Sequence, residues 1–154
     1  MTGRKLPVQH SVAADAASDL ALIIGSLDQS ALLKDLVRRG KLDVSAIQGR
    51  WEAFQISLVQ APLPGVKQAL VIAGSDKRGA IFGVYDLAEQ IGVSPWVWWA
   101  DVPVKTSPAL YIKTGTMKVD APKVKYRGIF LNDEYPALTS WVMQKYGGYN
   151  HKFY

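Results

Sequence analysis

The sequence predicts an α/β fold: a small N-terminal α/β domain over residues 1–120, then one β/α unit over residues 121–154. Three observations carry this. Up to residue 92, apolar runs of strand length alternate with segments of helical period, in the order strand, helix, strand, strand, helix. Asp120-Ala121-Pro122 then reads as a hinge. After it, Lys123 to Tyr135, KVKYRGIFLNDEY, alternates at Val124 and Tyr126 and turns apolar at Gly128-Ile129-Phe130-Leu131. It ends in Asn132-Asp133-Glu134, just before a helix start at Pro136. A run buried on both faces has this pattern, and parallel sheets are built from such strands.

The N-terminal domain follows in order. Leu20 to Gly25, LALIIG, is a compact apolar run ended by glycine, a buried strand. Ser30 caps a helix to Arg39, with Leu32, Leu33, Leu36 and Val37 on one face and Gly40 just past its end. Asp43 to Ile47 suits one more helical turn. Trp51 to Val59 alternates, with Phe54, Ile56 and Leu58 on one face, as a half-buried strand does. Pro62, Pro64 and Gly65 turn the chain into Gln68 to Ala73, its hairpin partner, across a loop long for the tightest turns. Asp76 caps the clearest helix, whose apolar stripe is Ala80, Ile81, Val84, Leu87, Ala88 and Ile91, and Gly92 ends it. Tyr111 to Lys113 and Thr116 to Val119 read as short strands or extended linker.

Composition narrows the function. A chain of 154 residues, 49% hydrophobic and 20% charged, can hold an ordinary globular core. No apolar run reaches bilayer length, so no membrane partner is expected. Thr2-Gly3-Arg4-Lys5 after Met1 has no apolar core behind it, so no signal peptide is read here. The absence of cysteine excludes disulfides and thiolate metal sites. The net charge of +5 is spread over basic runs of at most two residues, which argues against a nucleic-acid partner.

Two stretches resemble a known family. YRGIFLNDEYPALTSWVMQKYGGYNHKFY resembles the start of the catalytic barrel of glycoside hydrolase family 115. Gly74-Ser75-Asp76-Lys77-Arg78-Gly79, followed by IFGVYDLAEQIGVSPWVWWADVPV, resembles the end of that family's N-terminal domain. The likeness runs from about Leu20 to the C-terminus, specific at these two motifs and loose elsewhere. The family comprises xylan α-1,2-glucuronidases, which remove glucuronic or methylglucuronic acid from the xylan backbone. The resemblance implies the small α/β domain that precedes the barrel in several glycoside hydrolases, hexosaminidases among them. It makes residues 121–154 the first β/α unit of an incomplete TIM barrel, because a closed one needs roughly 250 residues. It implies a truncated N-terminus, inversion at the anomeric carbon, no cofactor, a glucuronoxylan or glucuronoxylo-oligosaccharide partner, and a secreted or periplasmic parent. The catalytic acid and base are expected on later barrel strands, so the fragment itself is expected to be inactive. Two rival readings are a standalone carbohydrate-binding or scaffold module and a different, hexosaminidase-like hydrolase.

The candidate site is the acidic strand tip. In β/α folds chemistry gathers at the C-terminal ends of strands, which singles out Asn132, Asp133 and Glu134. Glycoside hydrolysis needs two carboxyl groups flanking one bond. Adjacent residues on a strand point to opposite faces, so Asp133 and Glu134 do not both aim at that bond. With the resemblance they read as sugar-binding or sugar-orienting residues. The plainer reading makes one of them a helix cap and the other a solvated loop acid. Trp96, Trp98 and Trp99 offer a sugar-stacking platform or, for at least two of them, packing area. Gly74 to Gly79 lacks the spacing of a phosphate loop and reads as a helix cap. His10 and His151 have no metal-ligand partner at helical spacing, and no metal site is read.

Overall fold

The computed structural model describes residues 3, 5–10, 17–97, 100–111, 117–130, 132–133 and 137–153. They fall into two compact units, Met1–Lys123 and Val124–Tyr154.

The first unit is a four-stranded sheet flanked by helices. Its elements are β1 (Ser18–Ser26), α1 (Ala31–Arg38), β2 (Phe54–Leu63), β3 (Val66–Gly74), α2 (Lys77–Gln90), a short 3-10 turn (Pro95–Val97) and β4 (Met117–Asp120). The sheet order is β1-β3-β2-β4. β1 runs parallel to β3, and β2 is antiparallel to both β3 and β4. The β2–β3 hairpin closes through Pro64-Gly65, a tighter turn than the sequence suggests. A bulge between Gln60 and Leu63 lets the strands run on past Pro62, and Gly65 takes φ +77° at the turn.

Two apolar layers enclose this sheet. On one face, Ile23, Val59, Ala69 and Val71 meet Leu33 and Leu36 of α1 and Leu42, Val44 and Ile47 of the following coil. On the other, Phe54, Ile56, Leu70 and Ile72 meet Phe82 and Leu87 of α2. β2 is therefore buried on both faces at its start, where half-burial is expected from its alternation. The polar side chains this buries are paired: Gln55 donates to the Asp43 carbonyl at 2.7 Å and to the Ser57 hydroxyl at 2.8 Å. Asp43 to Ile47 forms a single turn and no helix; there the Asp43 carboxylate accepts from the Ser45 amide.

α1 has its expected cap, with the Ser30 hydroxyl accepting from the Leu33 amide at 3.2 Å. α2 departs from its expected stripe. Ile81 and Val84 are 43% and 39% exposed, and the residues fully turned to the sheet are Gly79 and Gly83. The helix lies so close that a Cβ on Gly83 would sit 2.5 Å from Cγ2 of Ile72. It covers the middle strands and leaves Leu20, Leu22 and Ile24 of edge strand β1 exposed.

The second unit holds one helix, α3 (Ala137–Tyr146). Val142 and Phe153 of this unit are buried. Tyr146 lies edge-on to Trp141 and Phe153 at 5.5 and 5.8 Å, and Tyr149 edge-on to Phe153 at 5.3 Å. The expected buried strand before it does not form among the described residues. Residues 124–130 make no ladder, and Tyr126, Ile129 and Phe130 are more than 80% exposed. A strand is stabilised by its neighbours' backbone groups, and the described residues of this unit supply none. Tyr111 is likewise extended without a ladder and 92% exposed; Ile112 to Thr116 lie outside the described residues.

Candidate functional site

Of the three residues at the predicted site, Asn132 and Asp133 are described and exposed, and Glu134 lies outside the described residues. Asp133 is well tied. One carboxylate oxygen accepts from the Thr139 backbone amide at 2.8 Å, and the other from the Thr139 hydroxyl. Together the Thr139 and Tyr149 donors hold the Asp133 carboxyl below the usual aspartate range. Thr139 is the third residue of α3, so its amide is one of the four that an α-helix leaves unbonded at its start. The residue just before the helix in sequence is Pro136, which has no side-chain acceptor to serve as a cap. Asp133 supplies the acceptor from six residues upstream.

The turn at the other end of α3 delivers Tyr149. The Gly147 amide donates to the Met143 carbonyl, and Gly147 and Gly148 take φ +74° and +125°. Asn150 then donates to the Tyr146 carbonyl at 2.8 Å and accepts from the Lys152 amide at 2.9 Å. Both oxygens of the Asp133 carboxylate are thus engaged by Thr139 at the helix start.

The second motif is a clamp. Asp76 caps α2 by accepting from the Gly79 amide, and its other oxygen accepts from the Glu52 amide, both at 2.8 Å. The Ser75 amide donates to the Ala53 carbonyl at 2.8 Å, and the Ser75 hydroxyl accepts from the Ala53 amide at 3.0 Å. A Cβ on Gly79 would lie 2.1 Å from the Ala53 carbonyl oxygen. Every polar group of Ser75 and Asp76 named here is used to join α2 to the start of β2.

Glu52 is the notable side chain that sequence reasoning passes over. It is 1% exposed, has φ +48°, and lies 2.8 Å from Nε of Arg78. It is the second residue of the predicted strand Trp51 to Val59, the one charged side chain in that run. The left-handed backbone and the pairing are both long-range outcomes.

Trp96 stands 61% exposed in the 3-10 turn, and Trp98 and Trp99 lie outside the described residues. His10 and His151 are exposed. Among the described residues, no group of His, Asp and Glu could hold a metal ion, and no helix is long and apolar enough to cross a membrane.

Residues 119–154, which include the tied tip and α3, match the family model described as Glycosyl hydrolase family 115. Over these residues the chain is similar to family 115. A solved structure agrees with this over a longer stretch: a protein described as a novel family GH115 4-O-methyl-α-glucuronidase, BtGH115A, with specificity for decorated arabinogalactans. It is 33% identical over 85% of this chain, with a TM-score of 0.69. The chain spans 16% of that structure's length. No curated protein matches the chain.

Proposed function

We propose that this chain is the N-terminal part of a glycoside hydrolase that removes (4-O-methyl)glucuronic acid side chains from a plant polysaccharide. In this reading residues 1–120 form the domain preceding a (β/α)8 barrel, and residues 121–154 supply its first strand and helix. Asn132, Asp133 and Glu134 then lie at the barrel mouth as substrate-binding residues. The acid and base that cleave the bond come from barrel strands beyond these 154 residues. The observation that carries the reading is the structural likeness to a 4-O-methyl-α-glucuronidase at 33% identity over 85% of the chain. The exposed apolar side chains of residues 124–130 support it, because an orphan barrel strand has this composition and no partner.

Two substrates are in view, glucuronoxylan from the resemblance and decorated arabinogalactan from the neighbour's description. The test is release of methylglucuronic acid from each by two proteins. The 154-residue chain should give no more than a heat-killed control. A longer polypeptide that continues it through a complete barrel should turn over at least one of the two. Failure of that longer protein on both would refute the reading.

A further inference from the structure

The sheet of the first unit has a free edge whose strand is complementary to itself, and we propose that β1 pairs there with β1 of a second copy of this chain. β1 ends the sheet order β1-β3-β2-β4, so one side of it has no strand among the described residues. Just past it, the Leu27 amide donates to the Gly74 carbonyl of β3. By the two-residue alternation of a strand, Ile23 and Gly25 also turn their backbone groups to β3, and Leu20, Leu22 and Ile24 turn theirs to the free side. The Leu20 carbonyl accepts from the Ser18 hydroxyl at 2.9 Å, a local bond that an incoming amide can replace.

Sheet edges are ordinarily guarded by proline, lysine, a bulge or a covering element. Leu20 to Ile24, LALII, holds no proline or charge, and its register to β3 is unbroken. Its outer side chains are uncovered. Leu20, Leu22 and Ile24 are exposed, as are Ile81, Val84 and Tyr85 of α2. Ile24 and these three α2 residues line one open apolar groove beside the edge. A contiguous apolar strip of this kind marks an interaction surface.

The pattern of β1 names the partner. Antiparallel pairing about a two-fold axis at Leu22 sets Leu20 opposite Ile24, Ala21 opposite Ile23, and Leu22 opposite its own copy. Outward backbone groups then meet outward backbone groups. On the α2 side every opposed pair is apolar, and on the α1 side the small Ala21 meets the larger Ile23. Asp19, the one charge of β1, falls opposite Gly25 and keeps its Lys67 partner at 2.7 Å, so no like charges are opposed. A slip of one residue would set outward groups against groups already turned to β3. One strand edge with its strip of side chains is a small contact beside the ~800 Å² per partner of a standard interface, so the dimer should dissociate on dilution.

Sedimentation equilibrium of the 154-residue chain across a range of concentrations tests this, together with crosslinking through single introduced cysteines; the chain has none of its own. A reversible monomer–dimer equilibrium is expected. Leu22→Lys opposes two like charges on the axis and removes the central apolar pair, so it should raise the dissociation constant roughly tenfold. Under mild oxidation Leu22→Cys should crosslink, because the axis brings the two backbones to the ~5.5 Å that a disulfide spans. Ile24→Cys, at a similarly exposed position, should not, because its two copies stand roughly 14 Å apart. Should Leu22→Lys fail to fold, the two cysteine variants decide between the outcomes. A chain that stays monomeric at its highest soluble concentration overturns the proposal and leaves the edge to a different polypeptide. Crosslinking at position 22 no better than at position 24 overturns it too. A dimer that survives Leu22→Lys and is lost in Phe130→Lys belongs to the exposed residues 124–130, and likewise overturns it.

Discussion

Gly79→Ala should destabilise the first unit, although alanine is the better helix former. Gly79 is the third residue of α2, and its Cβ would lie 2.1 Å from the Ala53 carbonyl oxygen. Real Cβ atoms essentially never come within 3.0 Å of such a neighbour, so helix and strand must separate. The atom in the way is backbone and cannot rotate aside. It also accepts from the Ser75 amide at 2.8 Å, and the Gly79 amide donates to Asp76 at 2.8 Å, so the separation pulls on both bonds. Overpacking of this kind costs about 1–3 kcal/mol, and two weakened hydrogen bonds add about 1–3 kcal/mol. Alanine's helix preference returns only about 1 kcal/mol. The net loss is about 1–5 kcal/mol, a large share of the roughly 5–15 kcal/mol by which a domain is stable. Gly83→Ala should cost less, about 1–2 kcal/mol, because its obstacles are the Ile72 and Phe54 side chains, which can shift. Gly128→Ala, with nothing within 4 Å, should stay within about 0.5 kcal/mol of the parent. Urea unfolding followed by far-UV circular dichroism gives all three. A Gly79→Ala chain as stable as the parent, or more so, would refute the close approach of α2 to the start of β2.

Three further outcomes are expected. Glu52→Gln should lower stability by about 1–3 kcal/mol, because it removes a buried charge that faces Arg78 and leaves an amide in a site shaped for an acceptor; an unchanged urea midpoint would contradict the pairing. The Asp133 carboxyl titrates below its unfolded value, so its contribution is complete above about pH 4 and is lost as pH falls through the lower folded value. The helical signal of α3 should therefore drop in acid, more shallowly in Asp133→Asn, and parallel acid profiles for the two proteins would argue against the cap. In dilute solution the amides of Ile129 and Phe130 should exchange with deuterium far faster than those of Phe82 to Leu87, and equal protection would mean that residues 124–130 have found a packing partner.

What was legible in the sequence was local. Ser30 and Asp76 announced their helices because a cap is a contact of three residues, and both caps form. The strands at β1, β2 and β3 announced themselves by apolar runs, but β1, expected to be buried, is an edge strand that leaves Leu20, Leu22 and Ile24 exposed where α2 does not reach. The errors come from counting side chains where the structure counts distance. A stripe of Ala80, Ile81, Val84 and Leu87 is the apolar face of α2 by composition. Yet the surface that meets the sheet is centred on two glycines, because their missing side chains permit the closest approach. Residues 125–131 have a strand's composition, but a strand is made by its neighbours, and the described residues of the second unit supply none. The tip shows both sides of this. Its polarity and its place before a helix were readable, and so was the choice between a sugar ligand and a helix cap. That the capping task would fall to Asp133, with both oxygens taken by Thr139 six residues on, was not. The plain structural role and the proposed binding role therefore meet in one short segment. Asp133 carries the structural role, because both of its carboxylate oxygens are held by Thr139 at the start of α3.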